Sequence, residues 1–123
     1  MILVDTSVWI DHFRKKEATL VELLLSSQVM MHPWIMGELA CGNLRDRKNI
    51  LALLSALPKV HTATTDEVLF FIEQHSLMGR GIGYVDVHLL AAARLSGVWL
   101  WTRDKRLLSI AKDMHLAYTE TMH

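Results

Sequence analysis

Residues 2–9 read ILVDTSVW, an apolar run of strand length followed by one acid, two hydroxyl residues and the beginning of a helix. The run at 2–4 predicts a short buried strand, and Thr6 and Ser7 can cap the helix that follows it. Asp5 therefore stands at the carboxyl end of a strand. In a parallel sheet, this is the edge where the next helix begins and where such folds bind ligands.

The same alternation of short apolar runs and helical periodicity continues along the chain, and it is typical of an α/β fold with a parallel sheet. Further strands are predicted at 29–31, 60–62, 98–101 and, at the sheet edge, 116–118. Helices are predicted at 8–13, 20–24, 33–42, 46–57, 64–78, 84–96 and 104–113. No repeat or linker divides the 123 residues, so the sequence predicts a single domain over 1–123.

Composition excludes several classes of protein. The 13 Lys and Arg residues balance 13 Asp and Glu residues, so any polyanion must be met by local patches and not by a global basic field. The single cysteine, Cys41, excludes an internal disulfide and fits a reducing compartment. No apolar stretch has the length of a signal peptide or a membrane span. We therefore expect a cytoplasmic protein without a membrane partner.

Four acids stand where a strand meets a helix or where a helix has just begun: Asp5, Glu38, Asp86 and Asp104. Asp5 and Asp104 follow predicted strands, and Asp86 lies in a first helical turn, where the positive end of the helix favours an anion. The side chain of Glu38 lies further along its helix but leans back toward the N-terminus. We expect the four carboxylates to meet at one edge of the sheet.

Carboxylates that converge repel one another unless a divalent cation offsets their charge. An oxygen-only set favours Mg²⁺ or Mn²⁺, because the seven histidines and the one cysteine lack zinc-ligand spacing. In enzymes, such ions promote the hydrolysis of phosphate esters. Each acid also has a simpler explanation: Asp5 and Asp104 can be helix caps, Asp86 can complement its helix dipole, and Glu38 can be solvated.

Short basic groups lie near the acids and are candidate phosphate contacts, although such runs are usually solvated surface. The candidates are Arg14, Lys15, Arg80, Arg103 and Lys105. The four tryptophans are expected mainly in the core. Trp9 and Trp34 lie nearest to the acidic edge, where a nucleic-acid base can stack.

Three motifs resemble those of the PIN-domain ribonucleases and, more narrowly, the VapC toxins of toxin–antitoxin pairs. They are ILVDTSVWI at 2–10, the segment 81–93 with Asp86 ahead of LLAAA, and TRDKRL at 102–107. By this resemblance Asp5, Glu38, Asp86 and Asp104 occupy the family's acidic, catalytic positions. The hydroxyls that support the metal site in the family then correspond to Thr6, Ser7 and Thr102.

The resemblance implies a three-layer α/β/α fold with a central, mainly parallel sheet. It also implies Mg²⁺- or Mn²⁺-dependent cleavage of RNA, homodimers, and inhibition by a cognate VapB-like antitoxin. We expect the antitoxin's tail to lie in an apolar groove, with Trp9, Leu20 and Leu24 as candidate lining, and to bring an Arg to the acids.

Other classes of protein fit the residues less well. A haloacid-dehalogenase-like phosphatase requires a second Asp two residues after Asp5, where this chain has Ser7. A receiver-type signalling module requires an Asp at the end of the strand predicted at 60–62, which has none. A housekeeping PIN nuclease and a catalytically inactive PIN module that binds RNA or a partner both remain open.

Overall fold

The computed structural model describes residues 1–120, which form three short strands and seven helices. The elements in chain order are β1 (Ile2–Val4), α1 (Thr6–Arg14), α2 (Ala18–Leu25), β2 (Val29–Met30), α3 (Pro33–Ala40), α4 (Arg47–Ser55), α5 (Thr65–Gln74), α6 (Tyr84–Ser96), β3 (Trp99–Trp101) and α7 (Lys105–Asp113). The strands form a parallel sheet in the order β2-β1-β3. The predicted α/β class with a parallel sheet is confirmed.

The first strand is the centre of both the sheet and the core. Ile2 pairs with Val29 on one side and with Trp99 on the other. Leu3 and Val4 have no exposed surface, as expected for a parallel strand that is covered on both faces. Because the three strands are parallel, their carboxyl ends lie at the same edge of the sheet, and Asp5 stands there directly after β1.

Two of the predicted strands are reduced to single bridges. Met31 pairs with Lys59, and Leu100 pairs with Ala117. The first bridge cannot lengthen beyond His32, because Pro33 has no backbone N–H and begins α3. The strand predicted at 116–118 was therefore too long, and the strand predicted at 60–62 was wrong, because the bridge forms one residue earlier, at Lys59.

The helix boundaries follow local signals in the sequence. Helix α6 has the predicted bounds, and Gly97 ends it in a left-handed conformation with φ of 65°. Helix α5 begins with a capping box between Thr64 and Glu67. It ends well before the predicted residue 78, because the chain turns at Ser76, where φ is 51°. Within residues 1–120, no helix is long and apolar enough to cross a bilayer.

A buried histidine caps α3. His32 has no exposed surface, its Nδ1 accepts a hydrogen bond from the backbone N–H of Trp34 at 3.0 Å, and its Nε2 has no partner in the described part of the chain. Burial, and then the charge of His88, lower the pKa of His32 to about 4. The folded protein therefore favours the neutral imidazole.

This shift predicts a loss of stability in acid. An unfolded histidine titrates near pH 6.5, so His32 stabilises the fold fully above that value, and the contribution falls as pH drops toward about 4. We expect His32→Asn to be less stable than the parent at pH 7. Between pH 7 and 4, its free energy of unfolding should fall by up to about 3 kcal/mol less than that of the parent. Urea unfolding at several pH values measures both effects, and equal pH slopes in the two proteins would contradict the assignment.

Candidate active site

Asp5 is held by hydroxyl groups at the carboxyl edge of the sheet. Its Oδ2 accepts hydrogen bonds from Ser7 Oγ and from Thr102 Oγ1, each at 2.8 Å, and the residue is only 7% exposed. Asp5 occupies the N-cap position of α1, but its side chain makes no capping hydrogen bond. Thr6 and Ser7 lie inside α1 and do not cap it either. The explanation of Asp5 as a helix cap is therefore wrong.

Asp104 does cap a helix. Its Oδ1 accepts a hydrogen bond from the backbone N–H of Leu107 at 2.9 Å. Its own backbone N–H donates to Thr102 Oγ1 at 3.1 Å, so the hydroxyl that holds Asp5 also positions Asp104. Capping explains one oxygen of Asp104 and places the residue beside Asp5, so the two interpretations of this acid are compatible.

Asp86 lies in the first turn of α6, where its Oδ2 accepts a hydrogen bond from the N–H of Gly83 at 3.3 Å. Burial is the largest cause that raises its pKa above the ordinary value, and the Gly83 hydrogen bond acts in the opposite direction. The charges of Asp5, Asp104 and Glu38 raise it further. All three of those carboxylates therefore lie near enough to repel the charge on Asp86.

Glu38 reaches back toward this edge from α3. Its Oε1 accepts a hydrogen bond from Thr6 Oγ1 at 2.9 Å, and Thr6 is the neighbour of Asp5. The backward lean expected for a helical side chain places the carboxylate near the start of α1. Glu38 is exposed, but it is not simply solvated, because Thr6 fixes its position.

The acids have the donor chemistry of a hard-cation site without a preformed cage. No three His, Cys, Asp or Glu side chains between residues 1 and 120 are arranged closely enough to hold a metal ion. All four side chains nevertheless offer carboxylate oxygens, which Mg²⁺ and Mn²⁺ prefer. Burial is the main cause of the raised pKa of Asp86, and the charges of the other acids, which a bound cation would offset, add to it.

One of the candidate RNA contacts is occupied by other groups of the protein. The Arg103 guanidinium donates to Asp11, Glu17 and Glu120 at 2.8, 2.7 and 2.9 Å. These hydrogen bonds, led by that to Glu17, raise the pKa of Arg103 above its ordinary value. Its backbone N–H also donates to Ser7 Oγ at 3.0 Å. The Arg103 side chain therefore connects α1 and the C-terminal segment. Because its guanidinium is already bound by three carboxylates, it is poorly placed to bind phosphate.

The other candidate basic residues lie on the surface. Arg80 pairs with Asp113 at 3.4 Å, and both side chains are exposed. Arg14, Lys15 and Lys105 are exposed as well. They remain available for a polyanion.

A groove of about 890 Å³ adjoins Glu38. Its apolar walls come from α1, α3, the loop before α4 and α4 itself, through Ile10, Phe13, Leu39, Leu44 and Ile50, and it includes Glu38. The predicted lining was wrong for Trp9 and Leu20, whereas that of Leu24 stays a prediction. Trp9 and Leu20 are 2% and 0% exposed and belong to the core, and Leu24 packs against that core outside the groove. The segment 39–50, which supplies much of the groove, carries no motif that the sequence could have revealed.

The amino-acid sequence is similar to that of known proteins. Residues 2–113 match the family model of the PIN domain. The chain is 46% identical over 121 residues to ribonuclease VapC32 of Mycobacterium tuberculosis, in two strains, and the match covers 98% of each chain.

Solved structures share the fold at lower identity. FitAcB from Neisseria gonorrhoeae has a TM-score of 0.63 and 22% identity, with 91% of this chain and 94% of that chain covered. FitAB bound to an IR36 DNA fragment has a TM-score of 0.63 and 18% identity, with both chains fully covered. PAE2754 from Pyrobaculum aerophilum has a TM-score of 0.60 and 20% identity, covering 89% and 78%.

Proposed function

Because this chain belongs to the PIN-domain family, we propose that it is a divalent-metal-dependent endoribonuclease and the toxin of a toxin–antitoxin pair. Its similarity to a VapC ribonuclease over nearly the whole chain supports the substrate class. The observation that carries the mechanism is that hydroxyl groups hold three of the acids at the carboxyl edge of the sheet: Thr102 binds Asp5 and the backbone of Asp104, and Thr6 binds Glu38. The PIN-like α/β fold expected from the sequence motifs is confirmed.

Asp5, Glu38, Asp86 and Asp104 would hold Mg²⁺ or Mn²⁺. When bound, such an ion supplies a water of lowered pKa as nucleophile and stabilises negative charge on the leaving oxygen. The protein's own contribution is orientation. Ser7 and Thr102 both donate to Oδ2 of Asp5, which fixes that carboxylate with its Oδ1 free of hydrogen bonds from the described residues.

The metal requirement gives a direct test. Purified protein should cleave RNA in Mg²⁺ or Mn²⁺, and EDTA should stop the reaction. Asp5→Asn should remove cleavage, because it deletes a ligand charge, whereas Lys15→Gln at the exposed end of α1 should cost little. Gel analysis of labelled RNA measures the rates. Cleavage that survives EDTA, or persists in Asp5→Asn, would contradict the proposed site.

The groove beside Glu38 supports the antitoxin part of the proposal. An amphipathic tail can bury apolar side chains against Ile10, Leu44 and Ile50. Its Arg would then reach Glu38, because a guanidinium pairs with carboxylates through two hydrogen bonds and competes with the metal. Expression of the chain alone should arrest growth. Co-expression of a small neighbouring reading frame should restore growth, and its product should co-purify.

Two alternatives predict different results in the same experiments. A housekeeping PIN nuclease would cleave RNA without arresting growth and without retaining a small partner. An inactive PIN module would bind RNA or a partner but would show no metal-dependent cleavage. The oxygen-only set of four acids favours a nuclease over the inactive module.

The homodimer and the cytoplasmic location are also part of the proposal. Phe70 of α5 and Leu95 of α6 are 67% and 48% exposed and line the same shallow pocket. Exposed apolar side chains that lie together are candidates for a surface between two copies. Light scattering measures the mass of the protein in solution, which for a homodimer is twice the mass of one chain. The proposed RNA substrate and antitoxin both place the protein in the cytoplasm.

A further inference from the structure

A pair of half-exposed aromatic rings lies where α3 and α6 begin. Trp34 is 37% exposed and Tyr84 is 43% exposed, and their ring centroids are 5.7 Å apart at an interplanar angle of 52°. The ring of His88, which is 3% exposed, lies 4.1 Å from that of Trp34 and 4.7 Å from that of Tyr84. The buried imidazole therefore fixes both rings, and we call Trp34 and Tyr84 the aromatic pair.

The aromatic pair stands beside the acids along the chain and along the helices. Trp34 and Glu38 are four residues apart on α3 and share one face of that helix. Tyr84 begins α6, and Asp86 lies in the same first turn. Since Glu38 accepts a hydrogen bond from Thr6, and the Tyr84 ring packs against Trp34, both helix starts face the proposed cleavage edge.

We propose that the aromatic pair is a stacking site for an unpaired RNA base next to the phosphate that is cleaved. This inference rests on the proposed RNA-cleaving function and adds a substrate-binding subsite to it. A strand whose phosphate lies at the acids must pass the starts of α3 and α6. The exposed ring faces there offer a contact that accepts any base, because every base has a π-face.

Charge explains why the contact would be made to a base. The chain has no net charge, and its acidic edge repels phosphates when no metal is bound. Arg103, the basic residue between Thr102 and Asp104, is bound by three carboxylates. Lys105 is exposed beside Asp104 and can meet a phosphate, and stacking adds an uncharged contact that needs no cation.

A matched control lies at the opposite edge of the sheet. Trp99 begins β3 and is 40% exposed, nearly the same fraction as Trp34. Trp9 and Trp101 are 2% exposed, so RNA that binds at the acidic edge can quench only Trp34 directly among the four tryptophans. Substitutions at positions 34 and 99 therefore separate a local contact from a general effect of losing an exposed indole.

The experiment measures binding of an unpaired oligoribonucleotide in EDTA, where metal-dependent cleavage is off. We expect Trp34→Leu and Tyr84→Leu each to weaken binding about 5- to 150-fold, the range of one stacked base, while Trp99→Leu binds like the parent. RNA should quench tryptophan fluorescence in the parent and in Trp99→Phe but not in Trp34→Phe. Circular dichroism confirms that each variant is folded.

A single abasic nucleotide, moved along the oligonucleotide, sharpens the test. At one position, the abasic nucleotide should weaken binding to the parent but leave binding to Trp34→Leu unchanged. The variant lacks the ring, so it has no stacking contact left to lose when the base is removed. If Trp34→Leu binds all RNAs as tightly as Trp99→Leu does, the stacking site is wrong. It is also wrong if Trp34→Leu keeps its RNA affinity but loses its antitoxin or its oligomeric mass, since the pair would then be a protein interface.

The outcome for the subsite is separate from the outcome for the function. Failure of the parent to cleave RNA in Mg²⁺ or Mn²⁺ would overturn the nuclease proposal. The binding measurements in EDTA decide the aromatic pair in either case, and a parent that binds no unpaired RNA in EDTA would also overturn it.

Discussion

Asp86→Asn is expected to cleave RNA about a thousandfold more slowly than the parent and yet, in EDTA, to be the more stable protein. The loss of rate follows from removing a charge that would hold the metal, which contributes several kcal/mol to the transition state. The gain in stability follows from the raised pKa of Asp86, because burial and three neighbouring acids all disfavour its ionised form. Asparagine keeps the side-chain oxygen that faces Gly83.

The gain in stability of Asp86→Asn over the parent should decrease as the pH is lowered. Above its raised pKa, the ionised Asp86 costs the folded state its full penalty. The penalty disappears as pH falls through that pKa to the ordinary value of 3.8, where folded and unfolded chains are both protonated. The advantage of Asp86→Asn should therefore be largest near neutral pH and shrink in acid, and thermal unfolding in EDTA measures it.

Helix α5 offers a matched control for this prediction. Asp66 is also an acid in a first helical turn, but it is exposed and distant in sequence from the acids of the site. Asp66→Asn should lose a little stability through the helix dipole and no activity. Equal effects of the two substitutions would mean that Asp86 is an ordinary first-turn acid.

Ile10→Glu is expected to keep RNA cleavage but to escape neutralisation by the antitoxin. Ile10 lines the groove and is 46% exposed, so the substitution should be tolerated in the free protein. In the complex, the carboxylate would lose its water against apolar groups of the tail, and Arg14, which also lines the groove, offsets only part of that cost. That penalty of several kcal/mol corresponds to a loss of affinity of at least about a hundredfold.

The measurement is growth during co-expression, together with co-purification of the partner. Leu53→Glu is the control, since Leu53 lies on α4, is 68% exposed and does not line the groove. It should be neutralised like the parent. Normal rescue of the Ile10→Glu strain would show that the antitoxin binds elsewhere.

The sequence predicted well wherever a single local signal determines the outcome. Gly97 ends α6 at the predicted residue, because a left-handed cap favours glycine. Asp5 stands at the end of β1 as expected, because an apolar run followed by an acid leaves little choice of register. The placement of Glu38 near Thr6 also followed from the direction of a helical side chain.

What the sequence did not predict depends on contacts between distant segments. The interaction of Arg103 with Asp11, Glu17 and Glu120 joins parts of the chain that share no local pattern. The burial of Trp9 could not be distinguished from exposure at a groove, because both places favour an aromatic residue. The groove itself arises where α1, α3 and α4 meet, and no single helix encodes it.

The Arg103 contacts bear on how the molecule opens. A guanidinium that holds α1, the start of α2 and Glu120 at once couples the two ends of the chain. The segment around Glu17 and the segment that ends at Glu120 therefore share one stabilising group, because the guanidinium donates to Glu17 through one nitrogen and to Glu120 through the other. Arg103→Ala should raise amide hydrogen exchange in both segments at once, although they lie far apart in the sequence.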